Sequence, residues 1–299
     1  MEPPDRRAMT SSEHSLLARA LADGAGGALR AWSLAVSFLG DCIEPRGGSV
    51  GMAGIADLLA AYGIDNGVVR TSLSRLAGDG WVTRQRIGRN SFYSLTPLAL
   101  AETQAAARRI YAPDHPSAPC GWRLYVAADA PADARRKARA SLARYGAGSL
   151  DKSIQILPDA PPVFSSAATI VLSAAALPDD AARKLVGQAF DLADIEREYQ
   201  DFSAAYAPLI RRLAESAPPD GLDALALRVL VIHRFRRIVL RDPGIPSRYL
   251  PPRWPGLAAR ETARTLWRAL FAPSEQWLDA NARAPGGALP ARTRGAAGF

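Results

Sequence analysis

The chain is poor in the residues that build several kinds of site. It has two cysteines, Cys42 and Cys120, in unrelated contexts, too few for a disulfide framework or a four-cysteine zinc centre. Its three histidines, His14, His115 and His233, have no metal-ligand spacing. No glycine-rich loop leads into Lys-Ser or Lys-Thr, so a P-loop is excluded. The longest apolar runs, Leu34 to Leu39 and Val229 to Ile232, fall far short of the roughly 20 residues that cross a bilayer. Residues 1–20 carry charges and no apolar h-region. Neither a membrane span nor Sec export is therefore expected, and a reducing, cytoplasmic location fits the cysteine usage.

The chain does carry charge, and its distribution is informative. Over 299 residues, 37 Lys plus Arg against 29 Asp plus Glu leave a net +8. Lysine supplies three of those cations and arginine 34. With so much alanine alongside, arginine abundance reads first as base-composition bias and only weakly as phosphate binding. By thirds, residues 1–110 sum to +2, residues 111–196 to −1 and residues 197–299 to +7. The length suggests two or three domains, and 48% hydrophobic residues provide for a real core.

Periodicity predicts helices over Ser12–Ala22, Leu29–Ile43, Met52–Tyr62 and Gly67–Gly78, with a short extended piece at Ser49-Val50. Two strands follow, Trp81–Ile87 and Ser91–Thr96, around Gly88-Arg89-Asn90. Helix, helix, turn, helix, hairpin is the order of a winged helix-turn-helix, expected over residues 12–110. At 100° per residue, Val69, Leu73 and Leu76 share a buried stripe, while Gly67, Arg70, Thr71, Ser74 and Gly78 fall opposite, with Arg75 at the edge. Arginine can fork onto guanine O6 and N7, and Ser or Thr can reach base edges or phosphates. Arg70, Thr71, Ser74, Arg75, Arg84, Arg86, Arg89 and Asn90 are thus the candidate contacts to double-stranded DNA. From Asn66 to Tyr93 five arginines face one acid, a local +4. The plain reading of the same face is a solvated helix or a protein-interaction module.

The middle third changes period. Trp122–Ala128, Ser153–Leu157 and Thr169–Ser173 read as strands, Pro131–Tyr145 and Pro178–Phe190 as helices. That order suits a small ferredoxin-like α+β domain over 120–194 if a short final strand is present. Arg135, Arg136, Lys137 and Arg139 read as a solvated outward face. Pro113–Pro119 reads as a linker. Beyond it an all-α domain is expected over 195–283, with helices Glu196–Glu215, Leu222–Leu240, Leu257–Leu270 and Pro273–Ala282. A mobile tail is expected over 284–299.

Catalytic chemistry finds little support in these residues. Gly47-Gly48-Ser49-Val50-Gly51 matches G-x-S-x-G in letters, but a helix precedes it where a nucleophile elbow needs a strand. Asp129 at a strand end could serve a metal-dependent nuclease, although a strand-end Asp usually shapes a turn. No catalytic residue, cofactor or metal ligand is assigned. Between Arg228 and Arg268 ten arginines meet two acids. Arg234, Arg237 and Arg241 share a helix face there, so the segment is either a solvated, salt-bridged face or an anion site.

Four segments resemble the PaaX family, the repressors of phenylacetic acid degradation operons: Arg30–Leu34, Pro45–Val50, Val69–Leu76 and Asp79–Trp81. The pattern His233–Pro243, Leu250-Pro251 and Trp254–Gly256 is similar to the family's third domain. The resemblance implies an α+β multidomain chain: a winged-helix reader, a central ferredoxin-like domain similar to Cas2, and a helical C-terminal domain. It also implies a homodimer released from its operator by an aryl-acetyl-CoA thioester, typically phenylacetyl-CoA. A CoA thioester pairs phosphates with an apolar acyl group, which makes His233, Arg234, Arg237, Arg241 and Trp254 the candidate effector residues. The leading expectation is a transcriptional repressor of a phenylacetate-type operon. A Cas2-like nuclease using Asp129 and a protein-interaction scaffold are the other two readings.

Overall fold

The computed structural model describes residues 14–23, 29–112, 118, 120–160, 164–215, 219–293 and 298–299. The linker assigned to 113–119 and the polar start at 1–11 lie almost wholly outside them. The chain divides into two compact units, one of residues 1–111, 201–235 and 261–299, the other of residues 112–200 and 236–260. The helices expected over 195–283 fall partly in each unit, residues 201–235 and those from 261 on in the first, residues up to 200 and 236–260 in the second.

In the first unit, α1 (His14–Asp23) is followed by α2 (Ala31–Phe38), which buries Leu34, Ala35, Val36 and Phe38. The helix expected to run on to Ile43 instead widens into a π-helical turn, Leu39–Ile43, and closes with a 3-10 turn, Glu44–Arg46. The π turn places Asp41 and Cys42 in the interior, and such turns often mark sites with a special demand on a side chain. Gly47 (φ +84°) and Gly48 (φ +73°) then turn the backbone into β1 (Ser49–Gly51), a left-handed path open to glycine. Next come α3 (Met52–Ala61), α4 (Asn66–Gly78), β2 (Val82–Ile87) and β3 (Asn90–Leu95). The sheet runs β1-β3-β2, antiparallel throughout. Helix α5 (Pro97–Ile110) follows, with Thr96 Oγ1 accepting from Ala99 N. It buries only Ala99 and Ile110, too sparse a stripe for periodicity to mark.

The second unit holds β4 (Trp122–Ala127), α6 (Ala132–Arg144), β5 (Gly148–Ser149), β6 (Ile154–Pro158), β7 (Thr169–Ala174) and α7 (Asp179–Ala189). Its sheet runs β5-β6-β4-β7, again antiparallel. A fourth strand is present, but it is the two-residue second strand rather than a closing one. Gly148 permits it: a Cβ there would stand 2.7 Å from the Ala189 carbonyl oxygen. Trp122 packs against Phe190 and Tyr249, with ring centroids 6.4 and 6.3 Å away.

Three long helices complete the fold, α8 (Ala193–Glu215), α9 (Gly221–Val239) and α10 (Gly256–Asn281). Two helices are expected from the sequence where α10 runs unbroken through Pro273. Leu270, Ser274 and Leu278, spaced i, i+4, i+8, are fully buried, so one packed stripe carries the helix past the proline. Ser274 Oγ also donates to the Leu270 carbonyl at 2.5 Å. The tail expected from residue 284 on departs from expectation as well. Arg283-Ala284 pairs with Gly287-Ala288 as β8 and β9. Leu289 is buried, the Pro290 carbonyl accepts from Arg46 Nε, and the Thr293 amide donates to the Pro45 carbonyl, at 2.8 Å each. Backbone and arginine bonds hold this segment, and neither leaves an apolar period in the sequence.

Candidate nucleic-acid interface

Helix α4 begins where Asp65, in extended backbone, accepts the Gly67 amide at 2.6 Å, a standard N-cap geometry. Val69 and Leu73 are fully buried and Leu76 nearly so, as the angular argument requires. Arg70, Thr71, Ser74 and Arg75 lie on the other side, with Arg70, Thr71, Ser74 and Arg75 all open to solvent. Among the described residues neither Arg70 nor Arg75 has an acidic side chain within ion-pair distance. The Thr71 hydroxyl donates to the Gly67 carbonyl at 2.9 Å, so its proton is engaged while the oxygen can still accept.

The β2–β3 hairpin turns through Gly88-Arg89, with Gly88 at φ +58°, the first central position of a two-residue turn that favours glycine. Strand β2 buries Val82 alone; Thr83 to Ile87 are exposed. Arg84 and Arg86 lie two apart and so on one face. Arg84 is held against Ser91 Oγ by Nε at 3.0 Å and Nη2 at 2.8 Å, and Arg86 Nε donates to the Gly88 carbonyl at 3.2 Å. These bonds leave further guanidinium donors on both. Arg89 and Asn90 are exposed at the tip, beside Ile87, whose side chain is 42% exposed. The hairpin thus presents three cations from a rigid ladder.

Residues 30–98 match the family described as PaaX-like protein, and residues 190–280 match its PaaX-like protein C-terminal domain. The chain is 30% identical over 279 residues to the transcriptional repressor PaaX of Escherichia coli strain K12, spanning 87% of this chain and 86% of that protein. The chain belongs to the PaaX family. An uncharacterised Mycobacterium tuberculosis protein, Rv0674, superposes with a TM-score of 0.46 at 23% identity, over 75% of this chain and 89% of that one.

In this PaaX-family chain the C-terminal arginines are placed very differently from those of α4. Arg228 is fully buried. Its Nε meets Asp41 Oδ2 at 2.8 Å, its Nη1 meets Glu275 Oε1 at 2.7 Å, and its guanidinium lies over Trp267 and Phe271, 4.9 and 5.1 Å from the ring centroids. Burial alone would raise the Asp41 carboxyl, but Arg228, with bonds from Tyr111 and Trp267, holds it below the ordinary carboxylate value. Arg46, 2% exposed, pairs with Glu275 and Asp279. Sequence reading passes over this network because Asp41 and Arg228 stand 187 residues apart. The only signal is a lone charge in each of two apolar runs, around residues 39–43 and 224–232.

The candidate effector residues are divided between the two units. His233 and Arg234 belong to the first unit, Arg237, Arg241 and Trp254 to the second. His233 is buried with Nδ1 3.0 Å from Ser37 Oγ. Arg234 is 7% exposed, and its Nε and Nη1 have no acceptor among the described residues. Arg237 is exposed, and its carbonyl accepts Arg241 Nε at 2.8 Å. Arg241 pairs with Glu198, and Trp254 stacks edge-on against Tyr199. The surplus of ten arginines over two acids is offset by acids outside the segment: Asp41 and Glu275 for Arg228, Asp179 for Arg248, and Glu198 for Arg241. Asp129 is exposed, and among the described residues no three His, Cys, Asp or Glu side chains gather as metal ligands. Ser49 is paired in β1 with Ser94. Among the described residues no helix is long and apolar enough to cross a membrane.

Proposed function

We propose that the protein is a transcriptional repressor that binds double-stranded DNA through a winged helix-turn-helix, with α4 in the major groove and the β2–β3 hairpin as the wing. The observation that carries this reading is the exposed face of Arg70, Thr71, Ser74 and Arg75, opposite a fully buried Val69–Leu73 stripe and next to a hairpin bearing three arginines. Kinship with a protein named as a transcriptional repressor supports it. On this reading Arg70 is a base reader, Arg75, Arg84, Arg86 and Arg89 contact phosphates, and Ser74, Thr71 and Asn90 supply hydroxyl and amide contacts.

The antiparallel order β5-β6-β4-β7 supports a ferredoxin-like, Cas2-like central domain, although β7 follows β6 through residues 159–168 and α7 comes after it. The rest of the proposal is a cytoplasmic homodimer controlling a phenylacetate-type catabolic operon and released by an aryl-acetyl-CoA thioester such as phenylacetyl-CoA. A two-fold dimer would read a palindromic operator. The test is a gel-shift titration on duplexes that the purified protein selects from a random pool, with and without phenylacetyl-CoA. Intact, shifted DNA that is released by the thioester supports the reading, while shortened DNA in Mg²⁺ would identify a nuclease.

A further inference from the structure

Within the second unit, the N-terminal half of α6 and the turn before β6 enclose a cleft of about 470 Å³, within the size range of small-molecule sites. Arg135, Arg136 and Arg139 line one wall, and Lys152 and Ser153 line the other. Among the described residues none of the four cations has a carboxylate within ion-pair distance. Arg135 and Arg139 stand i, i+4 on one helix, where like charges repel. The field of Arg139 reaches Asp151, but that carboxylate accepts Ser153 N at 2.6 Å, Ser153 Oγ at 2.8 Å and Ile154 N at 2.9 Å. Asp151 therefore fixes the turn that presents Lys152 and leaves the cations unneutralised.

The floor carries the second observation. Gln155 lines the cleft, is only 8% exposed, and its Nε2 has no acceptor among the described residues. Its register partner on β4, Tyr125, is buried too, with a hydroxyl lacking a partner. Buried donors without acceptors are rare because each forfeits its bonds to water. A cleft that pairs four unneutralised cations with an orphan amide donor has the makings of an anion site. A single carboxylate would answer one or two of those cations; two linked phosphates offer several acceptor oxygens and two or more charges, a match for Arg forks and a Lys.

We infer that this cleft binds the pyrophosphate group of a phosphorylated small molecule, with Arg135, Arg136, Arg139 and Lys152 on the phosphate oxygens and Gln155 as the buried donor. Two sources share that chemistry, a free nucleotide and a CoA thioester. The inference does not depend on the chain reading DNA, and it rests on residues other than those between 233 and 254 singled out by sequence.

Isothermal titration of the full-length protein at low salt with inorganic pyrophosphate, ADP and coenzyme A tests it. Binding of at least one, weakened about tenfold or more in Arg135→Ala/Arg139→Ala and unchanged in Arg144→Ala on the same helix, is the expected result. ADP binding as tightly as coenzyme A points to a nucleotide, and tighter coenzyme A points to the thioester. Gln155→Leu should weaken the ligand without lowering the melting temperature, since it removes an unsatisfied buried group. The inference is overturned by no binding of any probe at about 1 mM, or by equal loss in Arg144→Ala. It is also overturned if Arg135→Ala/Arg139→Ala leaves the probes unaffected and weakens duplex DNA instead, which would make this face a DNA-backbone contact and leave the α4 reading standing.

Discussion

Two sets of arginines in one unit, within a chain of net +8, behave as different kinds of residue. Arg70 and Arg75 on α4 are exposed with no acidic partner among the described residues, whereas Arg228 and Arg46 are 0% and 2% exposed and locked to carboxylates. The first pair costs the fold little and is available to a polyanion. The second pair is structural, since a buried guanidinium survives only with paired charges and filled hydrogen bonds. Charge counted along the chain does not separate the two. The residues 228–268, where the surplus is greatest, hold the arginine that is least available to a ligand.

The sharpest way to break this contrast is to remove one buried charge. Arg228→Met leaves the buried Asp41 without its ion-pair partner and should lower stability by about 3–5 kcal/mol, read as the midpoint of urea unfolding. A change below about 1 kcal/mol would place Arg228 with the surface arginines. Arg70→Ala should do the reverse: its unfolding free energy stays within about 0.5 kcal/mol of wild type, while selected-duplex affinity falls by about 1–3 kcal/mol. Asp41 adds a pH signature. Its folded carboxyl lies below its unfolded value, so its contribution is fully present above about pH 4 and is lost as pH falls through the lower folded value. Asp41→Asn should flatten that acid limb of the stability curve, followed by thermal melts between about pH 2 and 6. The smallest effect belongs to the hairpin: Gly88→Ala places a Cβ at φ +58° and should cost about 1 kcal/mol, with a modest loss of DNA affinity and no change in Arg228 packing.

Much of the α4 and hairpin module is legible in the sequence because its signals are local. The stripe Val69, Leu73, Leu76 fixes which side of α4 is buried, and Gly88-Arg89 fixes the hairpin. The second unit is legible in element order but not in which strand is short, because Gly148-Ser149 pairs through two residues and carries no apolar period. The C-terminal helices are recognisable as helices, but the partners of Arg228 and Arg241 are not, since they lie at Asp41 and Glu198, far away in sequence. The tail around Pro290 and Thr293 is invisible for a related reason: its bonds are made by backbone atoms, which every residue has.

The central claim is that the unpaired arginines of α4 meet DNA while the buried ones do not. Duplex affinity measured against salt concentration, for wild type and for Arg70→Ala/Arg75→Ala, tests it most directly. The account predicts a log–log slope shallower by about one for each phosphate that an arginine no longer neutralises, with weaker binding at every salt concentration and an unchanged unfolding midpoint. An affinity and slope equal to wild type would contradict it.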